Sequence, residues 1–190
     1  MKDIILTGPK HSGKTSAGRA FASLYSCGFI DIDELILQRT GKSPRQLFNE
    51  GQAVFQKAEA EALAAVIGSD GGADNAETAI GASGENKTGA KYRVIAAGGG
   101  LIDNEEALSV LKKSGAIIVY LDISAETAWR RIAAKKELPP FLKTENPRET
   151  HRALHERRAA AYLQIAGIVI KADRKSSKKT AVEIYSLLNK

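Results

Sequence analysis

The stretch Gly8-Pro9-Lys10-His11-Ser12-Gly13-Lys14-Thr15 fits G-x-x-x-x-G-K-[ST] and follows the apolar run Ile4-Ile5-Leu6. It restricts the chain to folds in which a buried strand runs into a phosphate-sized loop that opens a helix. Glycines at both ends let the backbone curl with its N–H groups pointing inward, toward oxygens that the positive end of the following helix also attracts. In that setting Lys14 reaches the β- and γ-phosphates of a nucleotide, and the Thr15 hydroxyl ligates Mg²⁺. Gly8, His11, Ser12, Gly13, Lys14, Thr15 and Ser16 are the expected nucleotide contacts.

The remainder alternates short apolar runs with amphipathic segments. Lys14 to Tyr25 reads as a helix with Ala17, Ala20, Phe21 and Leu24 on one face. After Gly28, Phe29-Ile30-Asp31 reads as a second strand. Ligands of an open parallel sheet gather at the C-terminal ends of its strands, so Asp31 and Asp33 fall on the side of the phosphate loop. A functional pair is preferred there over plain helix caps. Helix is expected over Glu34 to Arg39, and Ser43-Pro44 resembles an N-cap followed by a first-turn proline. A longer helix from Gln52 to Val66 carries Phe55, Ala58, Ala62 and Val66 as an apolar stripe, with Gln56, Lys57, Glu59 and Glu61 polar. Residues 68–90 are small and polar and read as a flexible surface insertion.

Arg93 to Ala97 restores strand character and leads into Gly98-Gly99-Gly100, either a backbone that a ligand approaches closely or a flexible turn. A helix over Asn104 to Lys113 follows, with Ala107, Val110 and Leu111 inward. The nearly unbroken apolar run Ala116 to Leu121 is then a strand covered on both faces. Asp122 at its end is read as helping to turn the chain into the helix that carries Trp129, Arg130 and Arg131. Lys135 to Leu142, with paired lysines and paired prolines, is either a lid that closes over a nucleotide or a connecting loop. A helix from Asn146-Pro147 to Gln164, the strand Ile168-Val169-Ile170 and a helix over Thr180 to Leu188 complete the chain. The order βαβααβαβαβα predicts an α/β fold, a parallel sheet with helices on both faces.

Composition narrows the partners. A length of 190 residues suits one domain. A net charge of +6 and a pI near 9.4 raise the possibility of nucleic-acid binding. The basic residues are dispersed, however, and the one dense group, Arg174-Lys175 with Lys178-Lys179, has few aromatics beside it to stack on bases. No nucleic-acid partner is expected. No apolar run approaches the ~20 residues of a membrane span, and Met1-Lys2-Asp3 enters the first strand with no room for a signal peptide. Cys27 is the only cysteine, which fits a reducing cytoplasm. His11, His151 and His155 read as surface or phosphate-neighbouring residues rather than zinc ligands, and no G-x-S-x-G elbow is present.

The phosphate loop, the Asp-x-Asp after the second strand and the Gly-Gly-Gly after the third combine with Phe55 and Glu59, and with Arg158-Ala159-Ala160-Ala161-Tyr162 as R-x-x-x-Y. Together they resemble the shikimate kinase family over nearly the whole chain apart from 68–90. The resemblance implies a three-layer P-loop kinase fold in one domain, with a five-stranded parallel sheet, a small helical substrate-binding region at about 32–66 and a lid at about 133–146. It implies ATP- and Mg²⁺-dependent phosphorylation of the 3-hydroxyl of shikimate, a step of aromatic amino acid biosynthesis, by a cytoplasmic monomer. Lys14 and Asp33 then carry the catalysis, with Asp33 holding the substrate's hydroxyls and accepting the proton. Asp31 and Thr15 belong to the Mg²⁺ shell and Arg131 lies along the nucleotide. Gly98, Gly99 and Gly100 bring backbone N–H groups to the substrate, and Arg158 binds its carboxylate.

Two positions depart from the family pattern. Gln56 stands where F-R-x-x-E has its carboxylate-binding arginine, so a charge-assisted contact becomes a neutral one. Pro139-Pro140-Phe141-Leu142 stands where the lid has R-P-L-L, which removes an arginine from the γ-phosphate and leaves Lys135 or Lys136 as a substitute point charge. Two other readings therefore stand beside the first: a related kinase of a polyol or sugar acid in which Gln56 belongs to the substrate site, and a non-catalytic nucleotide-binding homologue.

Overall fold

The computed structural model describes residues 1–67, 90–135 and 137–190. The expected insertion at 68–90, Ala90 apart, and Lys136 lie outside the described residues.

Strand β1 (Lys2–Thr7) is the centre of a five-stranded sheet ordered β2-β3-β1-β4-β5, where β2 is Gly28–Asp31, β3 Tyr92–Ala96, β4 Ile117–Asp122 and β5 Ile168–Lys171. All pairings are parallel: Ile5 stands opposite Ile95 on one side and Ile118 on the other. Consecutive residues of β1 serve opposite layers. Ile4 and Leu6 enter a core with Phe21, Phe29 and Ile184, whereas Ile5 enters one with Ile36, Leu63 and Leu101. Burial on both faces explains why the strand reads as an unbroken apolar run rather than an alternation.

Helices α1 (Lys14–Tyr25), α6 (Ala125–Ala133) and α8 (Ser177–Leu188) supply the first layer. Helices α2 (Ile32–Thr40), α3 (Pro44–Glu50), α4 (Gln52–Ile67) and α5 (Glu105–Lys113) supply the second. The long α7 (Pro147–Ile165) packs on α6, and Tyr162 stacks on Tyr120 of β4 with ring centroids 5.4 Å apart. Among the described residues three helices lie between β2 and β3, and two helices plus a 3₁₀ turn at Pro140–Leu142 lie between β4 and β5. The short α3 has clear local causes. Ser43 and Gln46 form a reciprocal capping box with Pro44 in the first turn of α3, and Gly41 ends α2 in the left-handed region at φ 70°.

Three expectations are corrected. Leu24 is 40% exposed, and α1 instead buries Ala17, Gly18, Phe21 and Ala22. The stripe is rotated because the Phe29 ring lies against Gly18, where a Cβ would overlap it. Glu59, grouped with the polar residues of α4, is fully buried. His151 and His155 are not on the surface: both are buried, with ring centroids 5.7 Å apart and His151 5.6 Å from Trp129.

Candidate active site

Because every strand runs the same way, the loops after β1, β2 and β3 open on one edge of the sheet. From β1 comes the phosphate loop. The Lys14 ammonium is buried within it and donates to the carbonyls of Gly8 at 2.9 Å and Pro9 at 3.0 Å. Burial lowers its pKa to about 8 against the pull of the Asp33 and Asp31 carboxylates. Arg131 reaches in from α6 and donates to the His11 carbonyl at 2.8 Å and, at 3.4 Å, to that of Asp173, so it braces the loop. The His11 imidazole is pushed down to about 4, by burial first and then by the charges of Lys10, Lys135, Lys14 and Arg131. It is neutral at pH 7 in a region dense with cations. The Ser12 hydroxyl is buried with no hydrogen-bond partner among the described residues.

From β2 come the two aspartates, and they divide the work. Asp31 caps α2, its Oδ1 accepting from the Asp33 backbone N–H at 3.0 Å, while its Oδ2 accepts from the Thr15 hydroxyl at 2.6 Å. One carboxylate thus both caps a helix and engages a hydroxyl of the phosphate loop. The Asp33 carboxyl is raised by burial and by Asp31, with Lys14 and Lys10 acting in the opposite direction.

From β3 comes the glycine triplet, and each glycine makes room for a different neighbour. A Cβ on Gly98 overlaps Glu59 Oε1, one on Gly99 lies 2.9 Å from the Lys10 backbone nitrogen, and one on Gly100 lies 3.1 Å from Arg158 Nη2. Glu59 accepts from Asn104 Nδ2 at 3.0 Å, and its Oε1 has no partner among the described residues. Burial raises its pKa to about 7, with the Asn104 hydrogen bond opposing. Arg158 donates through Nε to Asp103 Oδ2 at 2.8 Å, and its guanidinium lies 5.7 Å from the Phe141 ring centroid. Arg157 grips the same carboxylate at 2.8 and 3.0 Å. Burial opposes ionisation of Asp103, yet the two arginines prevail and hold it below the usual carboxylate range.

Two cavities adjoin at this edge. One, of about 650 Å³, is lined by Lys14, Thr15, Ser16, Asp31 and Arg131. The other, of about 500 Å³, is lined by Arg45, Phe48, Phe55, Pro139, Phe141 and Arg158. Lys10, His11, Asp33, Gly99 and Lys135 belong to both. Gln56 is not in either wall: its Nε2 donates to the Asp103 carbonyl at 3.0 Å. Asp122, read as structural, pairs with Lys171 and also lines neither cavity. Sequence reasoning passed over Lys10, Arg45 and Glu137, the last two paired across the mouth of the second cavity. Lys10 occupies a position that the loop motif leaves free, and Arg45 sits in a first helical turn like any solvated arginine, so neither carried a signal.

The family model for shikimate kinase matches residues 10–73 and 85–189. The chain belongs to the shikimate kinase family. Among curated relatives, a shikimate kinase of Actinobacillus pleuropneumoniae serotype 5b is 31% identical over 189 residues, covering 99% of this chain and 96% of that protein. A shikimate kinase of Vibrio parahaemolyticus is 30% identical over 188 residues, covering 98% and 96%. The solved shikimate kinase of Acinetobacter baumannii in complex with shikimate superposes with a TM-score of 0.80 at 27% identity, covering 100% of this chain and 93% of that one. Family membership carries the expected architecture with it: an α/β P-loop kinase fold around a five-stranded parallel sheet.

Proposed function

We propose that this protein transfers the γ-phosphoryl group of ATP to the 3-hydroxyl of shikimate. The single observation that carries the reading is the position of Asp33, a carboxyl in the wall shared by a phosphate-loop cavity and a second cavity that Arg158 also lines. A carboxylate there faces a hydroxyl from one side and a phosphoryl donor from the other, the arrangement phosphoryl transfer requires. The acceptor's hydroxyl oxygen bonds to the γ-phosphorus as the bond from that phosphorus to the bridging oxygen breaks. ADP leaves with the bridging electron pair, and the hydroxyl proton passes to Asp33. Lys14, already held by the Gly8 and Pro9 carbonyls, is placed to trade them for phosphate oxygens.

Thr15 and Asp31 fit Mg²⁺: both offer hard oxygen donors, and their oxygens already stand 2.6 Å apart beside the nucleotide cavity. Bound with the nucleotide, the ion neutralises phosphate charge. The acceptor's carboxylate is assigned to Arg158, with the N–H groups of Gly98 to Gly100 on its ring substituents. Arg45 is the other guanidinium in that wall, while Gln56 is engaged elsewhere. The lid is assigned to about residues 133–146, of which Pro139, Pro140 and Phe141 line the second cavity, and a monomer in the cytoplasm is assigned as the working form.

A coupled ADP-release assay over shikimate, quinate, gluconate and nucleoside monophosphates tests the reading. The expected result is ADP formation that needs shikimate and Mg²⁺ together and is lost in Lys14→Ala. Turnover with gluconate or quinate and none with shikimate would transfer the site to a different acceptor.

A further inference from the structure

The arginine that the family places at the lid to meet the γ-phosphate is a proline here, Pro139, so the charge on the moving group needs another counter-charge. The cations that reach both cavities are Lys10 and Lys135, with Lys136 outside the described residues. They differ in how they are mounted. Lys135 follows the last turn of α6, in the stretch assigned to the lid. Lys10 is part of the phosphate loop itself, and its backbone nitrogen stands where a Cβ on Gly99 would come within 2.9 Å. The loop and the glycine triplet are thus packed together at this residue, with nucleotide on one side and acceptor on the other. Its side chain is exposed and makes no hydrogen bond or ion pair with the described residues, and the residue lines both cavities. Its charge acts on the Asp33 carboxyl, on the Lys14 ammonium and on His11. Lys135 is felt at His11.

We infer that Lys10 is a catalytic residue: its ammonium contacts the γ-phosphoryl oxygens and neutralises them during transfer, in the place left by the lid arginine. The inference rests on the proposed reading for the transfer step, but the contact to the γ-phosphoryl group holds for any acceptor. A phosphate-loop lysine differs physically from a lid arginine. It is present before the lid moves, and it is a compact point charge rather than a planar fork. Charge neutralisation is then decoupled from closure.

The test has two arms on the full-length protein. Calorimetry compares the affinity of a non-hydrolysable ATP analogue with that of ADP, each with Mg²⁺ and without acceptor, in the wild type, Lys10→Ala and Lys135→Ala. Lys10→Ala is expected to lose about tenfold in analogue affinity while ADP affinity stays within about twofold, because only the analogue carries a γ-phosphoryl group; about 1.4 kcal/mol corresponds to that tenfold change. Lys135→Ala keeps the wild-type ratio. In steady-state kinetics Lys10→Ala lowers kcat by roughly 10²-fold, the usual loss on removing one transition-state donor, and Lys10→Arg recovers part of it. An unchanged ratio of analogue to ADP affinity in Lys10→Ala overturns the assignment, as does an unchanged kcat. Retained ADP affinity reports that the loop is still folded. If the wild type turns over an acceptor other than shikimate, the reading of the acceptor fails while the calorimetric arm still decides the role of Lys10.

Discussion

An alanine at position 98 places its methyl carbon inside the Glu59 carboxylate, which is itself fully buried and tied to Asn104. Neither side can move aside cheaply, so Gly98→Ala is expected to cost about 1–3 kcal/mol in urea denaturation, the range of overpacked cores. It should also raise the acceptor KM. Glu59→Ala in the same chain removes the overlap and recovers stability, a coupling that a double-mutant cycle measures directly. Glu59 also makes a pH prediction. Its folded pKa, raised by burial to about 7, exceeds the unfolded value of 4.5. Between those values the folded protein holds a proton that the unfolded chain releases, so this residue's contribution to stability falls as pH rises from 4.5 to 7. His11, lowered to about 4 from 6.5, acts with the opposite sign over an overlapping range. The difference between wild type and Glu59→Gln therefore isolates the carboxyl. Thermal melts should show the variant losing less stability than the wild type between pH 5 and 7 (about two units, spanning most of the titration), and parallel curves would remove Glu59 as the source.

At the scale of elements, the apolar patterns were legible wherever one chemistry dominated a segment. The runs that became β1 and β4 are buried on both faces, the glycine-bounded loop opens α1, and Ser43-Pro44 starts α3 as expected. Legibility failed where a partner distant in sequence decided the outcome. The face of α1 was misplaced because the ring that requires Gly18 comes from β2. The burial of Glu59 could not be read from its helix because Asn104, which donates a hydrogen bond to it, lies 45 residues away. The aspartates, the triplet and Arg158 were legible as a set, whereas Arg45 and Glu137 were not, since their pairing bridges two elements that no local pattern connects. The corrected face of α1 gives a simple contrast. Leu24→Ala, on the exposed side, should change stability by no more than about 0.5 kcal/mol, while Leu63→Ala in the second core should cost about 2–5 kcal/mol. Chemical denaturation of both variants checks the assignment of faces, and a large loss for Leu24→Ala would contradict it.

At the scale of the whole molecule, the sheet order puts β1 between β3 and β4, so the phosphate loop emerges beside the glycine triplet and across from α6 and its Arg131. The two cavities are consequently contiguous rather than separate. They meet along a common wall of Lys10, His11, Asp33, Gly99 and Lys135. Among the described residues no helix is long and apolar enough to cross a membrane, and none of the helices carries a metal-binding cluster. Burial and, with it, four of the chain's 28 lysines and arginines, Lys10, Lys135, Lys14 and Arg131, act together to lower the His11 pKa beside these cavities.

That common wall has a thermodynamic corollary. Any ligand that rearranges Lys10 or Asp33 alters the field and shape met by the other ligand, so the two binding equilibria are linked. If nucleotide changes the dissociation constant of shikimate by some factor, shikimate must change that of nucleotide by the same factor. Titrating each ligand with and without saturating partner, with ADP standing in for ATP to prevent turnover, should return two equal factors different from one. A factor of one in both directions would mean that the five shared residues stay fixed through the binding cycle, and that the protein is assembled for transfer before either substrate arrives.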